Sequence, residues 1–158
     1  MRAFAAAMTC KTRFHGPITF NAQNVLDIPS GLFGFVDETQ FLLLAVPSSK
    51  PIVFLQSVRS PKLCFISLPV QIVDMNYALL LNRVDLKRLG YSKATPPRLS
   101  KDVLCLALLT IRDKEVTTAN LVAPIVIDIR AHRGVQVLVK QQYSHRHPVL
   151  AAESRLAC

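Results

Sequence analysis

Two histidines flank an arginine at His145-Arg146-His147, with His132 and Arg133 upstream. Imidazoles could ligate a metal or carry a proton, but a structural zinc site needs four ligands and a catalytic one about three. This group offers at best two, so a cationic surface or a hydrogen-bonded corner set by Pro148 is the expectation. The four cysteines, Cys10, Cys64, Cys105 and Cys158, never form a CxxC pair. Cys64 and Cys105 sit inside apolar runs, where cysteine acts as a small buried hydrophobe, and neither a zinc site nor a disulfide framework is expected. A Cys64 or Cys105 nucleophile would need a partner met only in the fold, and would betray itself by rapid alkylation. GxSxG, P-loop and GxGxxG patterns are missing. The ten acidic residues are scattered, with no pair set by local spacing for general acid–base work. The expectation is a protein without catalytic activity or cofactor.

The remaining chemistry is charge. Nineteen Lys and Arg against ten Asp and Glu leave a net charge of +9, which favours an acidic partner such as RNA, DNA, anionic lipid or an acidic protein. Arg83, Lys87, Arg88, Lys93, Arg98 and Lys101 make the densest basic region, opposed internally by Asp85. Tyr91 is its one aromatic, a poor platform for stacking bases. Arg130, His132, Arg133, Lys140 and Arg146 make a second cluster.

The elements that must hold these residues are short strands. Ile125, Ile127 and Ile129 alternate with Val126, Asp128 and Arg130, a period of two with one face in a core. After Ala131-His132-Arg133-Gly134, Val135, Val137 and Val139 alternate with Gln136, Leu138 and Lys140, predicting a hairpin whose loop ends in glycine. Upstream, Phe41–Val46, Ile52–Val58 and Leu63–Leu68 on short Pro/Ser loops predict a meander. Val70–Asp74 and Tyr77–Leu81 are expected as extended pieces. Val84–Gly90 predicts the one helical turn, capped by Asn82, with Leu86 and Leu89 on one face and Gly90 as the stop. Lys101–Ile111 is apolar on both faces, as a central strand is. The loop Pro29–Phe35 is expected as a tight turn with its phenylalanines in the core, ahead of the other reading, an exposed aromatic platform for a partner.

The chain is 51% hydrophobic and 18% charged, which excludes a disordered protein. No apolar run approaches a bilayer span, so no membrane association is expected. The apolar part of the N-terminus is only Ala3–Met8, too little for a secretion signal, and translation from either Met1 or Met8 fits. Long helical crossovers are missing from the pattern. The predicted fold is mainly β: a single-domain antiparallel small β-barrel or sandwich with one or two helical turns. Residues 1–11 are expected as a flexible extension, 12–150 as the domain and 151–158 as a tail.

Several blocks resemble the flagellar assembly factor FliW family. They are Phe14-x-Gly16-x-Ile18, Ile28-Pro29-x-Gly31-Leu32-x-Gly34-Phe35 and Leu55-Gln56-Ser57-Val58-x-x-Pro61-x-Leu63-x-Phe65. Further on come Asn120-Leu121-x-Ala123-Pro124-Ile125-Val126-Ile127, then Arg133, Gly134 and Gln136, then Tyr143-Ser144-x-Arg146-His147-Pro148. Val36 stands where the family has an acidic residue, Leu68-Pro69 where it has Asp-Pro, and this chain is basic where the family is commonly acidic.

The resemblance implies a non-enzymatic cytoplasmic protein with a β-barrel-like fold. It implies two mutually exclusive partners: flagellin, and CsrA, a dimeric RNA-binding translational repressor. Holding CsrA away from flagellin mRNA lets flagellin be made, and new flagellin then frees CsrA by mass action. From the residues, the partner face is expected near Gln56, Ser57, Asn120, Arg133, Tyr143, Arg146 and His147, where polar groups interrupt apolar strands. For Asn120 and Tyr143, satisfying buried backbone groups is an equal alternative. The other reading of the whole chain is a basic β-barrel that binds RNA or another acidic partner directly.

Overall fold

The computed structural model describes residues 6–92, 94–139 and 142–149; the expected tail, 151–158, and the cluster members Lys93 and Lys140 lie outside them. The first strands, β1 (Met8–Lys11) and β2 (Pro17–Phe20), pair as an antiparallel hairpin. Met8–Lys11 therefore belongs to a paired strand, a correction to the extension expected over 1–11. The turn between them works because Gly16 takes a positive φ of 64° and Thr12 Oγ1 donates to its carbonyl. Cys10 and Phe20 bury against Leu42, so the hairpin lies on the outer face of the strand that carries Leu42.

The strands that follow are β3 (Val25–Asp27), β4 (Gln40–Leu44), β5 (Val53–Ser57) and β6 (Cys64–Pro69), with β4, β5 and β6 each pairing antiparallel to the one before. The predicted meander is β4–β5–β6. Alternation along β4 sends Phe41 and Leu43 to one core and Leu42 and Leu44 to another, as a two-residue period requires. Val70–Val73 is a single helical turn, α1, and not the predicted extended piece. Pro69 precedes it, and the Asp74 N–H closes the turn on the Val70 carbonyl. Tyr77–Leu81 is likewise irregular rather than a strand; Tyr77 is fixed by donating its hydroxyl to the Leu121 carbonyl at 2.8 Å.

The helix α2 (Arg83–Leu89) has the predicted anatomy. Asn82 Oδ1 accepts the Asp85 N–H, Gly90 ends the helix in the left-handed region at φ 84°, and Leu86 and Leu89 are buried. Then come β7 (Val103–Thr110), β8 (Thr118–Ala119), β9 (Ile125–Asp128), β10 (Arg133–Gln136) and β11 (His147–Pro148).

Closure depends on two pairings distant in sequence. β7 pairs β9 as well as β6, and β3 touches β10 in parallel through Asp27 and Arg133. The result is a closed seven-stranded barrel in the order β7-β6-β5-β4-β3-β10-β9, extended beyond β7 by β8 and β11. Inward residues Leu26, Ile28, Leu32, Phe41, Leu55, Leu106, Ile125 and Ile127 fill it; each such burial contributes about 1.5–3 kcal/mol. A second core, on the outer wall, gathers Val103, Cys105, Ala107, Val126, Val135 and Val137 under α1, α2 and the segment carrying Tyr77. The β9 strand is therefore buried on both faces, where the alternation alone had predicted one.

The β9–β10 hairpin forms, but in a different register from the prediction. Asp128 pairs Arg133, so the loop is Ile129–His132 and the residue with positive φ is His132, at 50°. Asp128 Oδ1 accepts the N–H groups of Arg130 and Ala131 and shapes that turn. Gly134 lies within β10, where an added Cβ would stand 3.2 Å from the Val126 carbonyl oxygen and 3.3 Å from Ile127 Cγ1. Glycine is needed there for close approach across the barrel wall.

Candidate functional site

Gln56 and Ser57 are wholly buried, each 0% exposed. Gln56 Oε1 accepts the Arg13 N–H at 3.0 Å, while Nε2 donates to the carbonyls of Ser57, Pro61 and Leu63. Ser57 and Ser60 donate their hydroxyls to the two carboxylate oxygens of Glu38, and Ser57 Oγ accepts the Ser60 N–H. Those two donors hold the Glu38 carboxyl below the ordinary glutamate range. The side chains knit the β5–β6 turn to the β1–β2 turn and to the segment before β4. Gln56 and Ser57, expected on the partner face, are thus placed inside the turn: a polar side chain interrupts a strand here because the turn's backbone groups need it.

Tyr143 is half-buried and stacks on Tyr77 with ring centroids 4.4 Å apart; its hydroxyl accepts the Ala78 N–H at 2.8 Å. His147 is half-buried in β11, paired with Ala119. Arg133 is exposed at the far end of the β9–β10 hairpin, in a shallow cleft of about 430 Å³ with Asp27, Pro29, Thr39 and His132. These three residues do not converge.

Asn120 and Arg146 do. Both line an open groove of about 500 Å³ with Phe65, Leu108, Leu109, Thr110, Arg112, Glu115, Val116, Thr118 and His145. Asn120 serves two ends. Its Oδ1 accepts the N–H groups of Val122 and Ala123, both at 3.1 Å, and its own N–H donates to the Leu108 carbonyl. It thus shapes the entry to β9 while lining the groove. The groove carries Arg112, Arg146 and His145 against one carboxylate, Glu115, which lies 3.7 Å from Arg112 in an exposed pair. Such a pair is weak and screened, so the lip is a cationic surface above an apolar floor.

That floor continues into the loop Gly31–Phe35, whose phenylalanines were expected in the core. Leu32 is the residue tucked in, while Phe33 and Phe35 are 52% and 41% exposed. Gly31 makes this possible: at φ 66°, an added Cβ would meet the Val36 carbonyl oxygen at 2.5 Å. Leu32 and Phe35 exchange backbone hydrogen bonds, and Gln136 Oε1 takes the Phe33 N–H at 2.7 Å while its Nε2 donates to the Ala123 carbonyl. Phe35 meets Phe65 edge to face at 5.1 Å, joining the aromatic loop to the groove. Phe65, Arg112, Val116 and Phe35 were not among the expected site residues. Their local signal is slight: exposed Ile111 and Val116 flank the charged turn Arg112–Glu115.

Burial pushes the thiols of Cys64 and Cys105 up to about 11 and about 12, which makes both poor nucleophiles. The described residues contain no group of three or more His, Cys, Asp or Glu able to hold a metal ion, and no helix long and apolar enough to cross a membrane. On α2, Arg83, Lys87 and Arg88 are exposed, and Arg88 lies 3.9 Å from the buried Asp85 carboxylate. Tyr91, the aromatic of that region, is half-buried and packs against the outer-wall core.

A family model described as FliW protein matches residues 9–150. The flagellar assembly factor FliW of Bacillus subtilis (strain 168) is 31% identical over 144 residues, covering 90% of this chain and 96% of that protein. That of Geobacillus kaustophilus is 33% identical over 142 residues, 89% of this chain and 94% of that protein. A crystal structure of the flagellar assembly factor FliW superposes with a TM-score of 0.79 at 31% identity, covering 89% of this chain and 96% of that one.

Proposed function

The chain belongs to the FliW family, and from that premise we propose that it is a cytoplasmic, non-enzymatic binding protein that controls flagellin production. It binds the translational repressor CsrA and flagellin in mutually exclusive fashion. CsrA held by this protein leaves flagellin mRNA free for translation; accumulating flagellin displaces CsrA, and repression returns. Control by mass action needs only two competing equilibria on one protein, with any effect on the RNA affinity of CsrA appearing as a linked coupling energy.

The observation that carries this reading is the family match across residues 9–150, which spans the whole barrel. The groove is its candidate contact surface: open, cationic at the lip, apolar at the floor and continuous with exposed aromatic rings, the composition of a protein-docking face. Titration with purified CsrA and flagellin tests it. The expected result is saturable binding of each and displacement of one by the other; no binding of either would refute it.

The net charge of +9 and the exposed cations of α2 favour a second reading, direct binding of RNA. The packing of Tyr91 against the outer-wall core weighs against it, since a ring held there offers little free face for stacking. RNA binding at useful affinity that weakens steeply with salt would promote this reading.

A further inference from the structure

Among the described residues, the barrel wall opens between the first half of β6 and the end of β7. The ladder between β6 and β7 joins Ser67–Pro69 to Leu106–Leu108 and stops. Beyond it β7 turns to β8, pairing Leu109 and Thr110 with Ala119 and Thr118. The first half of β6, Cys64–Ile66, keeps β5 on one side, and among the described residues no ladder runs along its other side. The Leu63 carbonyl accepts the Ser57 N–H from β5. Because backbone groups along an antiparallel strand point alternately to either neighbour, the N–H groups of Cys64 and Ile66 and the Cys64 carbonyl face the opening.

The groove coincides with this opening, since Phe65, Leu108 and Thr110 line it. We propose that the opening seats an extended segment of a protein partner, with apolar and acidic residues at alternate positions, which adds as a strand to the Cys64–Ile66 edge of β6. Its period of two follows from the site. Side chains on one face of the added strand meet the floor of Phe65 and Leu108, and those on the other face the lip of Arg112 and Arg146. The backbone supplies affinity and the alternate side chains supply selectivity, as in other cases of strand addition. Arg146 has no ion pair with a described residue, so an incoming carboxylate displaces no internal partner.

The inference rests on the reading that this chain works by binding proteins, but its test is separable. The full chain is titrated calorimetrically with a soluble peptide of about ten residues, enough for an ordinary strand, alternating valine or isoleucine with glutamate or threonine. The expected result is saturable binding and slowed hydrogen exchange across Cys64–Ile66. Methylating alternate backbone nitrogens on the bonding edge, replacing glutamate with lysine, or using the Arg146→Glu protein each weakens binding by roughly tenfold or more. Equal binding of the N-methylated peptide, protection elsewhere, or no binding of the parent peptide would overturn it. Peptide binding without binding of CsrA or flagellin would leave this inference standing and remove the proposed function. Binding of either protein without the peptide would do the reverse.

Discussion

The β5–β6 turn and the groove at the β6–β7 opening look alike along the chain, each a polar break in apolar strands, and they have opposite fates. At the turn, Gln56 makes four side-chain hydrogen bonds of 3.0–3.2 Å to backbone groups, and the hydroxyls of Ser57 and Ser60 are committed to Glu38. Little polar capacity is left to offer a partner. At the groove, the side chains of Arg146 and His145 remain exposed. A polar residue in a strand thus indicates a partner face only when its hydrogen-bonding capacity is left over after the backbone has been served.

The largest effect that would break this comparison is expected at Gln56. Gln56→Leu orphans the Arg13 N–H and the carbonyls around Pro61 and Leu63, at a cost of about 2–4 kcal/mol. Melting should fall sharply, while partner affinity measured below the new transition stays as in the parent. Affinity lost from a fully folded variant would instead put Gln56 on the partner face.

Asn120→Ala sharpens the comparison, because Asn120 belongs to both kinds of region. Losing its two bonds to the Val122 and Ala123 N–H groups should cost about 1–2 kcal/mol in denaturant titration. Calorimetric partner affinity then shows how much of its role is contact.

Ser57→Ala, at about 1 kcal/mol near neutral pH, should also change the acid limb of stability. Glu38 is held below the ordinary range in the folded chain, so its bonds stabilise fully above the glutamate pKa of the unfolded chain. That stabilisation is lost as pH falls through the lower folded value. The variant should therefore show a shallower loss of melting temperature on acidification; an unchanged slope would remove Glu38 as the cause.

The smallest effect on stability is expected at Arg146. Arg146→Glu should leave melting within about 0.5 kcal/mol of the parent, as exposed substitutions do, and still weaken partner binding. A destabilised Arg146→Glu would move the groove into the same class as the turn.

Much of the fold was legible in the residues. The meander, the two-sided β7 and α2 with its Asn82 cap and Gly90 stop followed from local period and capping chemistry, which depend on neighbours a few positions apart. The register of the β9–β10 hairpin was less so, because Gly134 looked like a turn residue and serves instead as a gap in the wall beside Ile127 and Val126. Of the expected site, Asn120 and Arg146 meet in the groove, while Gln56 and Ser57 became scaffold. Phe65 and Arg112 were invisible because nothing near them in sequence marks the place where two strands part.

By itself the sequence determined the strand periods, the helix and its caps, and membership of a family through blocks spread over the chain. Only the tertiary structure decided that β7 closes on β9, that Asp27 meets Arg133, and that β6 and β7 separate after Leu108. The physical reason is that alternation records which face of a strand is apolar and says nothing about which edge it meets. Edges are chosen by contacts between residues far apart in the chain, and the groove exists where one of those edges is left without a neighbour.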